Sequence, residues 1–385
     1  MVNSLNQLNN PMIKHERYFE VMRDFRKGGF NPDMYDEFLT LVNQLPNIAL
    51  RTPDDFKIFD KFNLTEVTRA DFEVIVKEVN RRAIEKSKFC WHPSASNTTC
   101  NIDSTGNIIV SAAHSIQNNG VLSQIVENGL VTTYAINKGE FDSKELHKNH
   151  ASIFWGFCNT HDAIFKPIET NSYTGTDEQN FLFAYRGFVV STHKKVEMSD
   201  LMDYGVQSEN DIKQNKKIFD DAILASNYSI LETEVFELPA FYPIAVSSAF
   251  YLDFDFEKNP IPHSDDRMED IFVTLLPFQN KTYFLLSYFK QDKHLYGNLG
   301  KQLRGRNKLK SDITMLIAAH TENVYFNPTY YNTFIKKHEE NLNRIIFETQ
   351  MDYVNIDEDN NQTINFSFTP NDYLNNPLDI NFFGY

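Results

Sequence analysis

Cysteine and histidine residues that could bind a metal lie close together in the middle of the chain. All three cysteines of the 385-residue sequence fall between Cys90 and Cys158, in the segments FCWHPSASNTTC and FCNTHD. Zinc takes four nitrogen or sulfur ligands in a tetrahedron. Cys158 and His161 are three residues apart, so a helix beginning there would present both on one face. The sequence therefore predicts a Cys3His zinc site formed by Cys90, Cys100, Cys158 and His161.

Two alternatives remain open for these residues. His92, in the first of the two segments, could replace Cys100 as a ligand. The cysteines could also be small residues of a hydrophobic core, because free cysteine is commonly buried. The clustering favours a metal site, since the rest of the chain contains no cysteine.

A further histidine and an aspartate could do chemistry beside this site. His114, in SAAHSIQNNG, ends a predicted strand, and a neutral imidazole can accept a proton from water near pH 7. Asp162 follows His161 directly and offers a carboxylate to a divalent cation. Both also have structural interpretations: His114 as a hydrogen-bonded strand end or spare zinc ligand, and Asp162 as an acid favoured by a helix dipole.

The charge of the chain limits the ways in which it could bind nucleic acid. The net charge is −15, whereas affinity for phosphates comes mainly from clustered Lys and Arg. One basic segment, KQLRGRNKLK at residues 301–310, contains no acid. We predict that Lys301, Arg304 and Arg306 contact phosphates; the alternative is a solvated loop before the next helix.

The sequence predicts neither export nor a membrane span. Its start lacks a basic region followed by an apolar run, and it contains no stretch of 18 uninterrupted apolar residues. Three cysteines cannot all pair within one chain, and clustered cysteines in a reducing compartment are more often metal ligands than disulfides. The expectation is a cytoplasmic protein with no membrane partner.

Hydrophobic periodicity divides the chain into three parts and predicts an α+β fold. Residues 1–88 are expected to form a helical N-terminal region, and residues 89–170 a small zinc-stabilised ββα module with strands near 107–113 and 130–136. Residues 171–385 are expected to form an α+β domain with antiparallel strands.

Within this last part, Thr176 and Gln179 predict a capping box at the start of a helix. The apolar face of that helix is expected to consist of Phe181, Ala184, Tyr185 and Phe188. Period-two patterns predict strands at 244–256, 271–278 and 282–289, and helical patterns predict helices near 208–226, 311–322 and 329–350.

The order of a strand ending in histidine, a second strand and a helix carrying a ligand resembles the ββα-metal finger of the HNH endonucleases. Residues 90–169 also resemble a segment of bacterial proteins with a Cys-x-His-Pro start, an Ala-His-(Ser/Thr)-(Ile/Val)-Gln centre and a Phe-Cys-x-x-His-Asp end. The HNH resemblance implies that His114 is the general base and that Asn118 or Asn119 orients it. It further implies that Asp162 helps to bind Mg²⁺ or Mn²⁺, which would stabilise charge on a phosphate.

The chain departs from the HNH pattern at one position. Many HNH enzymes have an acidic metal ligand immediately before the base histidine, where this chain has Ala113. Asp103 or Glu169 would have to supply that carboxylate.

Two functions of different class follow from these observations. The first is a metal-dependent nuclease that cleaves DNA or RNA, with a role in bacterial defence or toxicity. The second is a non-catalytic interaction module, in which zinc stabilises residues 89–170 and the aromatic-rich C-terminal part binds another protein. The order of His114, Cys158, His161 and Asp162 favours the nuclease, and the acidic charge favours the interaction module.

Overall fold

The structure is a computed structural model, and it describes residues 88–137, 140–198, 205–264, 267–321, 323–350, 352–356, 362–366 and 375–384. The helical region predicted for residues 1–88 therefore lies almost wholly outside the described residues. The strands are β1 Ser111–His114, β2 Leu130–Asn137, β3 Glu140–His147, β4 Ile153–Phe157, β5 Leu231–Leu238, β6 Ile244–Phe250, β7 Ile271–Phe278, β8 Lys281–Phe289, β9 Val324–Phe326, β10 Asp352–Ile356 and β11 Gln362–Phe366.

Eight α-helical segments of four or more residues occur in the part of the chain that the structure describes. They are α1 Asn159–Asp162, α2 Lys166–Glu169, α3 Asp177–Met198, α4 Gly205–Ala225, α5 Lys293–Tyr296, α6 Leu299–Gly305, α7 Leu309–His320 and α8 Glu339–Gln350. Helices and antiparallel sheets thus occur together, and the predicted α+β class is confirmed. None of the described helices combines the length and the apolar character that a membrane crossing requires.

A seven-stranded sheet has the order β3-β2-β9-β6-β7-β8-β5. The described registers from β2 through to β5 are all antiparallel. Strand β2 comes from the middle of the sequence, yet its neighbour β9 lies near residue 325. The sheet therefore continues across the domain boundary predicted at residue 170.

Residues 90–135, 141–191 and 210–385 belong to one compact unit. A second unit comprises residues 1–89, 136–140 and 192–209, most of which lie outside the described residues.

Alternating residues of the central strands face two different hydrophobic layers. Ile271 and Val273 of β7 belong to a core that includes Ile313 of α7. Phe272, which points to the other face, packs against the Phe219 ring of α4 at a centroid distance of 5.2 Å. Both faces of β7 are buried, which explains why its sequence is apolar at every position except Thr274. Strands β2 and β3 of the middle segment are themselves part of this sheet.

A small two-stranded sheet carries the residues that could do chemistry. Strand β1 pairs antiparallel with β4, and His114 lies opposite Ile153. The short helix α1 follows β4 after a single residue. The order is thus strand, strand, helix, but the partner of β1 is β4 and not the predicted strand at 130–136, which joins the large sheet instead.

Most C-terminal elements lie where their patterns predict them. The hairpin of β7 and β8 and the helices α4 and α7 agree with prediction to within a few residues. The predicted strand 244–256 ends at Phe250, because Asp255 accepts hydrogen bonds from the backbone N–H groups of Glu257 and Asn259 and forms a turn there.

Two helical predictions need correction. The helix predicted for 329–350 is broken into segments before α8 begins. Thr333 lies in the irregular turn, and its hydroxyl donates to the carbonyl of Thr329, a bond that distorts a helix. In the predicted capping box, Thr176 does accept from the N–H of Gln179, but the Gln179 side chain bonds Thr174 and Ser172 instead of returning to Thr176.

Candidate metal centre and adjoining polar cluster

The four predicted metal ligands lie together. Nδ1 of His161 is 3.5 Å from Sγ of Cys90, 3.4 Å from Sγ of Cys100 and 3.3 Å from Sγ of Cys158. All four ligand atoms lie within 4.8 Å of one another. In a tetrahedron with Zn–S near 2.3 Å and Zn–N near 2.0 Å, a sulfur and a nitrogen are about 3.5 Å apart. The group could therefore hold a metal ion such as zinc.

Strand β4 and helix α1 position two of these ligands. Cys158 follows the last residue of β4, and its carbonyl accepts hydrogen bonds from the backbone N–H groups of His161 at 3.1 Å and Asp162 at 2.9 Å. This first turn of α1 brings the imidazole of His161 back over the Cys158 sulfur, as the Cys-x-x-His spacing predicts.

Hydrogen bonds to the same two elements fix the other two cysteines. The N–H of Trp91 donates to the carbonyl of Gly156 in β4 at 2.9 Å, which holds the adjacent Cys90 beside the strand. Asn101, next to Cys100, accepts from the N–H of Thr160 in α1 at 3.1 Å. The two cysteine segments are thus joined by protein contacts as well as by a shared metal position.

His92 is not a member of this ligand group. Its ring stacks on that of His161, with centroids 4.2 Å apart and planes at 7°. Its Nδ1 accepts a hydrogen bond from the N–H of Ser94 at 3.2 Å. Cys100 therefore occupies the position that sequence left open between Cys100 and His92, and His92 packs against a ligand ring.

Burial changes the pKa values of the ligand group in ways that differ between its members. Burial lowers the pKa of His161, which keeps its imidazole neutral and its Nδ1 free to act as a ligand. Burial raises the pKa of the Cys90 thiol to about 12. Burial also opposes ionisation of Cys158, but hydrogen bonds from the backbone of His161 and Asn101 and from the neighbouring thiols lower its pKa overall. A cation would release thiol protons on binding, as thiolate sites require.

His114 lies at the end of β1 with one ring nitrogen held by the backbone. Its Nδ1 is 3.0 Å from the carbonyl oxygen of Ala151 and 3.4 Å from the hydroxyl of Ser152. A carbonyl only accepts, so this contact places the proton on Nδ1 and leaves the lone pair on Nε2. Burial lowers the pKa of His114, so the ring is neutral near pH 7. Within the described residues, Nε2 has no hydrogen-bond partner.

The charges of a carboxylate and of a buried arginine act on His114. Glu169, the last residue of α2, pairs with Arg186 of α3 at 2.5 Å. Only 3% of the Arg186 side chain is exposed, and its guanidinium carbon lies 4.1 Å from the centroid of the Phe165 ring. The charges of Glu169 and Arg186 act on both His114 and Asp162. These side chains therefore share one electrostatic environment.

Asp162 is a partly buried carboxylate in this environment. Burial raises its pKa, although the positive charge of Arg186 acts in the opposite direction. In the described part of the chain, its carboxylate forms no hydrogen bond and no ion pair. An acid that is desolvated but unpaired has its oxygen atoms available for a ligand.

The structure separates the two acids that could replace the missing HNH carboxylate. The carboxylate of Asp103 accepts from the N–H groups of Thr105 at 2.8 Å and Asn107 at 2.9 Å, so it stabilises an exposed turn. The charge of Glu169 acts on His114. We refer to His114, Asp162, Glu169 and Arg186 as the polar cluster. Of the two, Glu169 is therefore the acid placed to act with the histidine.

The predicted orienting asparagine contacts a different group. Asn118 donates to the side-chain carbonyl of Asn149 at 3.0 Å, and no hydrogen bond among the described residues joins it to His114. The carbonyl of Ala151 holds the His114 ring instead. Asn119 is exposed.

The predicted phosphate contacts are partly engaged with acids of the same chain. Lys301 is exposed on α6. Arg304 pairs with Glu234 at 2.6 Å but is still 50% exposed. The guanidinium of Arg306 donates hydrogen bonds to the carboxylate of the buried Asp312, so it is already used in an intramolecular contact. Of the three, Lys301 is the most available for a phosphate.

Sequence reasoning did not find Arg186, although a signal for it exists. It interrupts the apolar run LFAYRGFVV, and a charged residue in a buried helical segment requires a partner. That partner, Glu169, stands seventeen positions earlier in the sequence.

A shallow groove of about 380 Å³ borders the metal centre. Its lining includes His92, His161, Ile223, Leu224 and Tyr228. Leu224 is 64% exposed, which is high for a large apolar side chain.

No protein family, curated protein or solved structure matches this chain.

Proposed function

We propose that the chain is a metal-dependent nuclease that hydrolyses phosphodiester bonds, with His114 as its general base. The observation that carries this proposal is the polar cluster beside the metal centre. It combines a neutral histidine, whose Nε2 has no partner among the described residues, with the carboxylates of Asp162 and Glu169 and the guanidinium of Arg186.

The environment of His114 supports its role as a base. Because Nδ1–H donates to Ala151, Nε2 can accept a proton from a water molecule that attacks phosphorus. The lowered pKa keeps Nε2 unprotonated near neutral pH, and the backbone contact fixes the ring. The proton moves from the attacking water to Nε2 as the new phosphorus–oxygen bond forms. The bond from phosphorus to the leaving sugar oxygen breaks in the same step, and that oxygen takes a proton from solvent water.

The two acids fit a hard divalent cation. Mg²⁺ and Mn²⁺ take oxygen ligands, and Mg²⁺ usually keeps several waters, so two carboxylates are sufficient protein ligands. Asp162 and Glu169 would hold the cation, which supplies charge stabilisation at the phosphate. Arg186 positions Glu169 through their ion pair.

The Cys3His group has a structural role in this proposal. Its three sulfur ligands suit zinc and do not suit Mg²⁺. Bound zinc would join the Cys90 and Cys100 segments to β4 and α1, and Asp162 is the last residue of α1. Zinc therefore holds the scaffold, while hydrolysis takes place at separate residues.

The test is cleavage of single-stranded and double-stranded DNA and RNA by the purified full chain with Mg²⁺ or Mn²⁺. His114→Ala is expected to reduce the cleavage rate at least a hundredfold, since a general base contributes about 10²–10⁴ to rate. His294→Ala is the matched control, because His294 is exposed and bonds only a nearby carbonyl. Zinc content should be the same in both variants. Cleavage that survives in His114→Ala would overturn the proposed base.

A specific observation favours a second candidate, a non-catalytic protein-interaction module. The groove beside His92 and His161 exposes Leu224, and apolar groups rimmed by polar ones are typical of interaction sites. On this hypothesis, Leu224→Asp would abolish partner binding, while His114→Ala would change nothing. The two variants thus separate the two functions.

A further inference from the structure

A second cleft shares Glu169 with the polar cluster. Its volume is about 180 Å³, and its lining includes Gln117, Glu169, Tyr173, Phe183 and Phe278. The side-chain amide of Gln117 donates to the backbone carbonyl of Glu169. Gln117 is only three residues after His114, so one short segment connects the proposed base to the wall of the cleft.

The walls of this cleft are aromatic and firmly held. The rings of Tyr173 and Phe183 meet edge to face at a centroid distance of 6.0 Å. The hydroxyl of Tyr173 donates to the side chain of Asn180 at 2.8 Å, which fixes the orientation of the ring. Phe278, at the end of β7, contributes a third aromatic ring.

The polar groups of the lining are mostly neutral amides. Gln124 and Asn171 line the cleft and are exposed, so their amides can bond a ligand. The lining, as the structure describes it, contains no Lys or Arg, and Glu169 is its one charged residue. Such a surface suits a flat, uncharged group with hydrogen-bonding edges and repels a phosphate.

We propose that the cleft binds a nucleobase of the substrate, an inference that rests on the proposed nuclease function. The volume is smaller than the roughly 300–1,000 Å³ of sites for drug-sized ligands, and it suits a single ring system. A base can enter such a cleft only when it is unstacked, as in single-stranded nucleic acid. The nuclease therefore acts on single-stranded DNA or RNA, with one base held beside the scissile phosphate.

The experiment measures binding of nucleosides, which carry a base but no phosphate. Adenosine, guanosine, cytidine and thymidine are added at millimolar concentrations to the full chain, with 2-deoxyribose as the base-free probe, and binding is followed by saturation-transfer NMR. Phe278→Ala removes one aromatic wall at a hairpin end, and Phe241→Ala is the matched control, since Phe241 is exposed and outside the cleft. Gln124→Trp fills the cleft from its exposed rim without altering the core.

We expect at least one nucleoside to bind and deoxyribose not to bind. Phe278→Ala should weaken binding about tenfold, a typical loss for one base–aromatic stack. Gln124→Trp should weaken binding at least as much because it fills the cleft, whereas Phe241→Ala should leave binding unchanged. Equal binding of nucleosides and deoxyribose, or unchanged binding in both cleft variants, would overturn the proposal.

Cleavage assays on the same proteins separate this proposal from the proposed function. Cleavage without nucleoside binding would support the nuclease function and overturn the proposed nucleobase-binding cleft. Nucleoside binding without cleavage would support the nucleobase-binding cleft and overturn the proposed nuclease function.

Discussion

Replacing Cys158 with serine is expected to remove the metal and the stability that the metal supplies. The Cys158 side chain is fully buried between β4 and α1, and its sulfur is 3.3 Å from Nδ1 of His161. Serine is close in size to cysteine, so it preserves packing but is a poor ligand for a soft site. Three ligands would remain, which is one fewer than a structural zinc site needs.

The size of the compact unit gives the magnitude. Unfolding of its roughly 270 residues has an entropy of about 0.6 kcal/mol/K. Zinc at a hundred times its dissociation constant stabilises the folded state by about 2.7 kcal/mol. The melting temperature of the wild type should therefore rise by about 5 °C with zinc, and that of Cys158→Ser should not.

Differential scanning calorimetry with zinc and with a chelator measures both proteins, and elemental analysis should find one zinc per wild-type chain. The chain has no cysteine outside the ligand group, so the controls are histidines: His161→Ala should behave like Cys158→Ser, and His294→Ala like the wild type. The zinc site would be refuted if the chelator did not change the melting temperature of the wild type. It would also be refuted if zinc still raised the melting temperature of Cys158→Ser.

Three further predictions test the fold and the charge distribution. A Cβ on Gly187 would lie 2.9 Å from a backbone carbonyl of β6, so Gly187→Ala should lower the free energy of unfolding in urea by about 1–3 kcal/mol, whereas Gly305→Ala, with open space around it, should not. Burial lowers the pKa of His320, which stacks on Phe250, to about 4. The unfolded state therefore takes up this proton first as pH falls below about 6.5, which costs about 2 kcal/mol of stability by about pH 5. The loss of stability between pH 7 and pH 5 should therefore be about 2 kcal/mol smaller in His320→Gln than in the wild type. Lys301→Ala should weaken nucleic-acid binding alike for all sequences and reduce the salt slope, measured by fluorescence anisotropy, by about 0.9; an unchanged slope would exclude the contact.

The ligand group could be predicted from sequence because its evidence is local and chemical. Few residue types bind a soft metal, and in this chain all the cysteines lie in two short segments. The Cys-x-x-His spacing also predicts the first turn of α1 correctly. The choice between His92 and Cys100 required the structure, since it depends on the path of an irregular loop.

The pairing of strands could not be predicted, because it depends on contacts between distant residues. The sequence of β2 predicts a strand of the ββα module, yet Thr132 of β2 pairs with Phe326 in the large sheet. The true partner of β1 is β4, which follows an insertion of almost forty residues. The ion pair of Arg186 with Glu169 joins two separate helices, and the local pattern around Arg186 indicates that it needs a partner but does not identify the partner.

We propose that two different metals bind at two separate places, one structural and one for hydrolysis. The most direct measurement is anomalous X-ray diffraction from crystals of the purified protein soaked in Mn²⁺, recorded at the zinc and manganese edges. We expect a zinc peak within the group of Cys90, Cys100, Cys158 and His161, and a separate manganese peak at Asp162 and Glu169. A manganese peak at the cysteines, or none at the two carboxylates, would contradict it.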